Sequence, residues 1–70
     1  MIKVMSISLN SATMEADVFL IADTKAEMLS ATTKDYIGFP EDYTVAFGSK
    51  VMTTSGELAI MKSDGTWNWG

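Results

Sequence analysis

Few side chains in this sequence could support catalysis, because its 70 residues include neither histidine nor cysteine. A serine nucleophile needs an adjacent base, and the nearest candidate bases are the lysines of Ser49-Lys50 and Lys62-Ser63. Neighbouring residues of a strand point to opposite faces of its sheet, so neither pair is expected to form a dyad. The sequence therefore predicts a protein that is not an enzyme.

Oxygen atoms are the main ligands that the chain could offer to a metal ion. The absence of thiols and imidazoles argues against a zinc site. The acids Glu41 and Asp42, with Asp35 nearby, match the spacing of no calcium-binding loop. Glu41 and Asp42 could also form a carboxylate pair for glycosyl transfer, but no cleft is predicted around them, and they are more typical of a solvated loop. The glycines are spread singly rather than in a phosphate-binding loop. We expect neither a metal nor a cofactor.

Trp67 and Trp69 are the residues best suited to binding a ligand. Two aromatic rings that alternate with Asn68 on an accessible strand could stack on sugar rings, as in a carbohydrate-binding module. The competing interpretation places both rings in the core or in a subunit interface, because the predicted sheet has them facing Ile60 and Lys62. The second interpretation is favoured.

The composition indicates one small domain, residues 1–70, that needs stabilisation from outside its own core. A chain of this length buries only about 60% of its unfolded surface, and the usual disulfides are excluded here. With 47% apolar residues and six methionines, a homo-oligomer is the expected remedy. The net charge of −4, with no arginine, is atypical of nucleic-acid binding. No segment resembles a membrane span or a signal peptide, so we expect synthesis in the cytoplasm and no membrane partner.

Two strands are predicted in the first third of the chain. In residues 1–10 apolar and polar side chains alternate, which is typical of a half-buried strand. Residues 11–17 read as a connector with room for one helical turn. Residues 17–23 form an apolar run that suits a strand buried on both faces or lying in a subunit contact. Its candidate interface or core residues are Val18, Phe19, Leu20 and Ile21.

The next segment allows two interpretations. Asp23 could cap a short helix over residues 25–29, whose side chains are good helix formers. Alternatively, the chain could turn at Asp23-Thr24 and return as a strand. Residues 31–47 read as a long loop that contains Gly38 and Pro40, and we expect its aromatic rings to pin it onto the sheet. These rings are Tyr36, Phe39, Tyr43 and Phe47.

The last 23 residues predict a three-stranded antiparallel meander. Ser55-Gly56 and Asp64-Gly65 are turn signals, and two-residue turns there would pair Val51 with Ile60 and Ile60 with Trp69. Such pairing would place one set of candidate interface or core residues on a single face: Val51, Leu58, Ile60, Trp67 and Trp69. The expected fold is mainly β, a small antiparallel sheet or sandwich with this meander and room for one short helix.

Residues 17–28 and 48–69 together resemble short proteins encoded in the structural-gene clusters of tailed bacteriophages of Gram-positive hosts. The landmarks are residues 23–27 (DTKAE), Gly48-Ser49, Thr53-Thr54 and residues 62–67 (KSDGTW) followed by Trp69, and they cover about half of the chain. The resemblance implies a non-enzymatic virion protein of the head accessory, head-fibre or tail type. Its expected partners are its own copies and other phage structural proteins. A carbohydrate-binding module and a phage assembly chaperone are the alternatives.

Overall fold

The structure of this chain, a computed structural model, describes residues 1–70 and contains seven strands, one α-helix and a short 3₁₀ turn at Thr33–Asp35. In chain order these elements are β1 Ile2–Asn10, β2 Glu15–Ala22, α1 Lys25–Ser30, β3 Tyr36–Ile37, β4 Thr44–Val45, β5 Lys50–Thr53, β6 Leu58–Met61 and β7 Trp67–Trp69. The strands form one sheet in the order β3-β1-β2-β5-β6-β7, and β4 also pairs with β2. The mainly β class, the short helix and the C-terminal meander are confirmed.

β1 and β2 form a long antiparallel hairpin. Their pairing runs from Ile2 opposite Ala22 to Asn10 opposite Glu15, with a bulge at Met5 where the register shifts. The connector is a turn over residues 11–14 rather than a helical turn. β2 alternates between buried side chains, among them Val18 and Leu20, and less buried ones. Of the two alternatives predicted for this strand, burial on both faces within the chain is therefore wrong, because only one face of β2 is covered, and a subunit contact stays a prediction.

The segment after β2 is a helix, which decides between the two interpretations of the sequence. Thr24, not Asp23, is the N-cap, and its hydroxyl accepts a hydrogen bond from the Glu27 amide at 3.1 Å. The Glu27 carboxylate in turn accepts from the Asp23 amide at 3.3 Å. The first bond satisfies one of the free amide groups at the start of the helix, and the second ties the residue before the cap to the first turn.

β5 runs parallel to β2, so the sheet is mixed rather than wholly antiparallel. Leu20 lies opposite Val51 and Ala22 opposite Thr53. The parallel direction follows from the long connection between the two strands, which crosses one face of the sheet as α1 and residues 31–47 before β5 begins. The same connection covers that face, and no second sheet is present. The fold therefore has one covered face, called the core face here, and one uncovered face, called the outer face.

A buried serine joins β2 to the strands beside it. β4 and β5 pair with different parts of β2, and between them the chain leaves the ladder. The Ser49 hydroxyl fills this gap, since it accepts a hydrogen bond from the Val18 amide at 3.0 Å and approaches the Ala16 carbonyl at 3.4 Å. Ser49 has no solvent-exposed surface, so its hydroxyl is a buried polar group whose hydrogen bonds link the strands.

The predicted register of the meander is wrong by one residue at both turns. Val51 pairs with Ala59, and Ala59 pairs with Trp69. The Thr53 amide donates to the Glu57 carbonyl at 2.9 Å, so the first loop has three residues rather than two. Only the glycine of each loop has a positive φ, +93° at Gly56 and +86° at Gly65. A two-residue type I′ turn needs two such residues, whereas a type I turn followed by one left-handed glycine gives the three-residue loop seen here.

The core lies between the core face and the segment that crosses it. Its buried apolar side chains come from the strands, from Met28 of α1 and from Tyr36. The ring of Tyr36 meets that of Phe39 edge to face at 5.8 Å. Tyr43 also packs on the core, as predicted for the loop aromatics. Phe47 does not, because its side chain is 70% exposed.

Candidate interaction surface

The outer face of the sheet carries a group of neighbouring apolar side chains. The pairing of β2, β5 and β6 places them in two rows, one with Phe19, Lys50 and Ile60 and the other with Ile21, Met52 and Leu58. Adjacent strands are about 4.8 Å apart, so each row spans about 10 Å of backbone. We call these five apolar residues the outer patch: Phe19, Ile21, Met52, Leu58 and Ile60.

No element of the chain covers the outer patch. Met52, Leu58 and Ile60 are 40–42% exposed, and Phe19 and Ile21 are half-buried by their neighbours in the sheet. Isolated apolar residues on a protein surface need no explanation, whereas a contiguous group marks a contact site more often. The outer patch is contiguous because the slipped register brings Leu58 and Ile60 to the same side as Met52.

Two lysines are the only charged residues within the two rows. Lys50 lies between Phe19 and Ile60, and Lys3 lies beside Ile21. Both residues are exposed, and neither forms a salt bridge. The chain as a whole has a net charge of −4. The positive charge is therefore confined to the outer patch, because Glu15 and Asp17 lie on the same face nearer the tip of the β1–β2 hairpin. A complementary surface would be apolar at its centre and would carry carboxylates at its rim.

A shallow depression adjoins the outer patch on the side toward the tip of the β1–β2 hairpin. It lies where the chain leaves the ladder between β4 and β5, and Gly48 has a φ of +88° at that point. Asp17 and Lys50 contribute side chains of opposite charge to its rim. The depression is open to solvent and Phe19 of the outer patch lines it, so it extends the contact surface rather than enclosing a substrate.

The residues predicted as core or interface divide between the two faces. Val18, Leu20 and Val51 are buried in the core, with exposures of 0–2%. Phe19, Ile21, Leu58 and Ile60 belong to the outer patch. The prediction that Leu58 and Ile60 share a face with Val51, Trp67 and Trp69 is wrong, because a one-residue change of register moves a side chain to the other side of the sheet.

Trp67 and Trp69 lie on the core face, where both rings are half-buried and pack against the core. The Lys25 ammonium lies 5.5 Å from the centre of the Trp69 ring, a cation–π distance. The Trp69 indole nitrogen is buried without a hydrogen-bond partner. Trp67 lines a groove together with Met28 and Tyr36, but Trp69 does not reach it. The two rings therefore do not form the exposed double platform that stacking on sugars requires.

The sheet separates one of the two candidate catalytic pairs, and the other lies at the exposed second turn. Ser49 points into the core and Lys50 to the outer face, as the alternation of side chains predicts. The Lys62 ammonium lies 3.6 Å from a carboxylate oxygen of Asp64 at the exposed second turn. No group of three potential metal-binding side chains is present among the 70 residues. No helix of the chain has the length and apolar character needed to cross a membrane.

The sequence predicts that Met52 lies on the other face of the meander, covered by a loop ring or by a neighbouring subunit, but it gives no sign of Lys3 and Lys50 as charged neighbours of Met52. A feature of the sequence could have shown the true register. Ala59 is the smallest apolar residue of β6, and in the observed pairing it lies between Val51 and Trp69. A small residue beside a large ring is the packing expected of a filled core, whereas the predicted pairing placed Ala59 on the other face.

Searches with this chain found no matching family model, no matching curated protein and no matching solved structure.

Proposed function

We propose that this protein is a non-enzymatic structural subunit that acts by packing against other protein subunits through the outer patch. The observation that carries the proposal is the uncovered sheet face with its five neighbouring apolar side chains. Burying apolar surface of this kind stabilises a contact by about 25 cal/mol per Å² before the costs of association. The fold supplies a sheet to present that surface, and Ser49 and Lys50 point to opposite faces of it.

The assembly that we propose is the virion of a tailed bacteriophage, in which the chain would be an accessory component of the head, head fibre or tail. The resemblance of residues 17–28 and 48–69 to short phage structural proteins supports this setting. The occupant of the outer patch would then be another virion protein, apolar at the contact and acidic at its rim where it meets Lys3 and Lys50. The two lysines beside the outer patch favour such a partner over one with a basic surface at this contact.

The affinity of the purified chain for particles of the phage that encodes it tests the proposal. Ile60→Glu places a carboxylate in the outer patch and should weaken binding by at least about tenfold, since a single central residue of an interface often contributes more than 1 kcal/mol. Leu29→Glu is the matched control, because Leu29 is 67% exposed on α1, which lies on the core-face side. Leu58→Glu is a second variant of the same patch.

Circular dichroism should show that all three variants keep the fold of the wild type. Mass spectrometry of purified particles should detect the chain, which would distinguish a virion component from an assembly chaperone. The proposal is wrong if the chain is absent from particles, or if Ile60→Glu and Leu58→Glu bind them as tightly as Leu29→Glu does.

A further inference from the structure

The outer edge of the sheet at β1 is open along most of its length. β3 pairs with β1 only at Ile2 and Lys3. The bulge at Met5 follows, and from Ser6 to Asn10 the strand has a partner on its β2 side only. The backbone amide and carbonyl groups on the other side of these five residues have no strand to bond. An edge of this kind can accept a further strand.

The side chains of the open edge offer little protection against such pairing. Natural edges are blunted by lysine, proline, bulges or very short strands. The bulge at Met5 lies before this segment, and residues 6–10 of β1 contain neither lysine nor proline and keep a regular register with β2. Ser6, Ser8 and Asn10 point to the outer face, whereas Ile7 and Leu9 point to the core-face side, where they are 41% and 53% exposed. The opposite edge of the sheet, β7, has only three residues. β1 is therefore the longer unprotected edge.

We infer that a second copy of this chain pairs with the β1 edge, antiparallel, about a two-fold axis that passes through Ser8. In this register Ile7 of each copy lies opposite Leu9 of the other, Ser6 lies opposite Asn10, and Ser8 lies opposite itself. Apolar side chains lie opposite apolar side chains on one face of the sheet, and uncharged polar side chains lie opposite each other on the other face. No like charges are therefore opposed. The pairing makes one continuous sheet of two chains.

The inference rests on the proposed structural role, and it adds the identity of one neighbour and the strand that this neighbour contacts. The outer patch stays uncovered in the paired form, because the second copy adds to the edge of the sheet rather than to its face. A paired subunit would present two outer patches to the rest of the assembly.

Disulfide trapping tests the pairing directly, because the chain has no cysteine of its own. Ser8→Cys places two thiols opposite each other across the axis, where the spacing of directly paired Cβ atoms, about 4.5–5.5 Å, is close to that of a disulfide. Ser6→Cys is the control: Ser6 is also exposed, but its two copies would be four residues apart along the strands, about 13 Å. Asn68→Cys reports on the β7 edge.

Under mild oxidation Ser8→Cys should form covalent dimers at least about tenfold faster than Ser6→Cys or Asn68→Cys. Sedimentation of the wild-type chain, without any substitution, should show a dimer. Equal oxidation rates for the three variants, fastest crosslinking at Asn68→Cys, or a wild-type monomer would each overturn the inference.

Adding Ile60→Glu to the Ser8→Cys chain separates this inference from the proposed function. The double variant should still crosslink, since Ile60 lies on β6, far from the β1 edge, but it should fail to bind particles. Lost crosslinking in a double variant with an unchanged circular dichroism spectrum would place the dimer contact at the outer patch and overturn the β1 pairing. Crosslinking together with undiminished particle binding would leave the β1 pairing intact and refute the outer patch as the contact.

Discussion

Replacing Ser49 by alanine should remove the hydrogen bond through which Ser49 connects its segment to β2. The substitution removes one oxygen atom from a site with no solvent access, where that oxygen accepts a hydrogen bond from the Val18 amide at 3.0 Å. The Ala16 carbonyl keeps a partner, because it also accepts from the Ala46 amide at 2.8 Å. The Val18 amide has no replacement, and water is excluded from the site. One buried donor is therefore left unpaired.

An unpaired buried donor costs about 1–3 kcal/mol. A chain of this length is expected to have a total free energy of unfolding of roughly 4–10 kcal/mol, so Ser49→Ala should remove a large share of it. A loss of about 2 kcal/mol would lower the Tm by roughly 8–16 °C, at about 4–8 °C per kcal/mol for a domain of this size. Urea unfolding monitored by the fluorescence of Trp67 and Trp69 measures the loss, because both rings are half-buried in the folded chain.

Ser63→Ala is the matched control, since Ser63 is an exposed residue of the second turn. It should change the free energy of unfolding by no more than about 0.5 kcal/mol. Amide hydrogen exchange gives a local measurement: the Val18 amide should be protected in the wild type and should exchange much faster in Ser49→Ala. Equal stabilities for the two variants, with the Val18 amide still protected, would refute the role assigned to Ser49.

Two further predictions concern the turns of the meander. Gly56→Ala should lower the free energy of unfolding, measured in urea, by about 1–2 kcal/mol, because a φ of +93° strains any residue with a Cβ even though no atom obstructs it. Gly70→Ala is the control, since a Cβ at Gly70 is equally unobstructed. Equal effects of the two substitutions would contradict the assigned turn. The hydroxyl of Thr66 and then its amide donate hydrogen bonds that hold the pKa of the Asp64 carboxyl below its usual value. The ionised Asp64 carboxylate therefore stabilises the fold at a pH above its pKa in the unfolded chain, and this stabilisation is lost as the pH falls through its pKa in the folded chain. In a carboxyl NMR titration Thr66→Val should raise the pKa of Asp64, and an unchanged midpoint would contradict the hydrogen bond.

Local patterns were enough to predict the first two strands and the existence of the meander. In residues 1–10 the alternation of apolar and polar side chains determines a strand whatever its partners are. The segment after β2 was ambiguous because a six-residue helix has little intrinsic stability of its own. Its cap at Thr24 and the burial of Met28 decide the outcome, and burial depends on the rest of the fold.

The outer patch was not predicted because it depends on the register of the first turn, at Ser55-Gly56. Ser55-Gly56 and Asp64-Gly65 fit both a two-residue and a three-residue loop, and the choice depends on whether the residue before each glycine adopts a positive φ. One residue of difference moves Leu58 and Ile60 from the core to the surface. The parallel pairing of β2 with β5 joins parts of the chain that are distant in sequence, so no local sequence pattern indicates it. The role of Ser49 depends on this pairing and could not be predicted for the same reason.

The most direct test of the outer patch as the assembly contact uses the methionines already in the chain. Met52 lies within the patch and is 42% exposed, Met14 is 41% exposed at the tip of the β1–β2 hairpin, and Met61 is buried. The extent of oxidation of each methionine is measured by mass spectrometry after limited oxidation, once for the free chain and once for the chain bound in particles. We expect oxidation of Met52 to fall at least about tenfold on assembly, while Met14 stays reactive and Met61 stays protected. Equal oxidation of Met52 in the free and assembled chain would contradict the proposed contact.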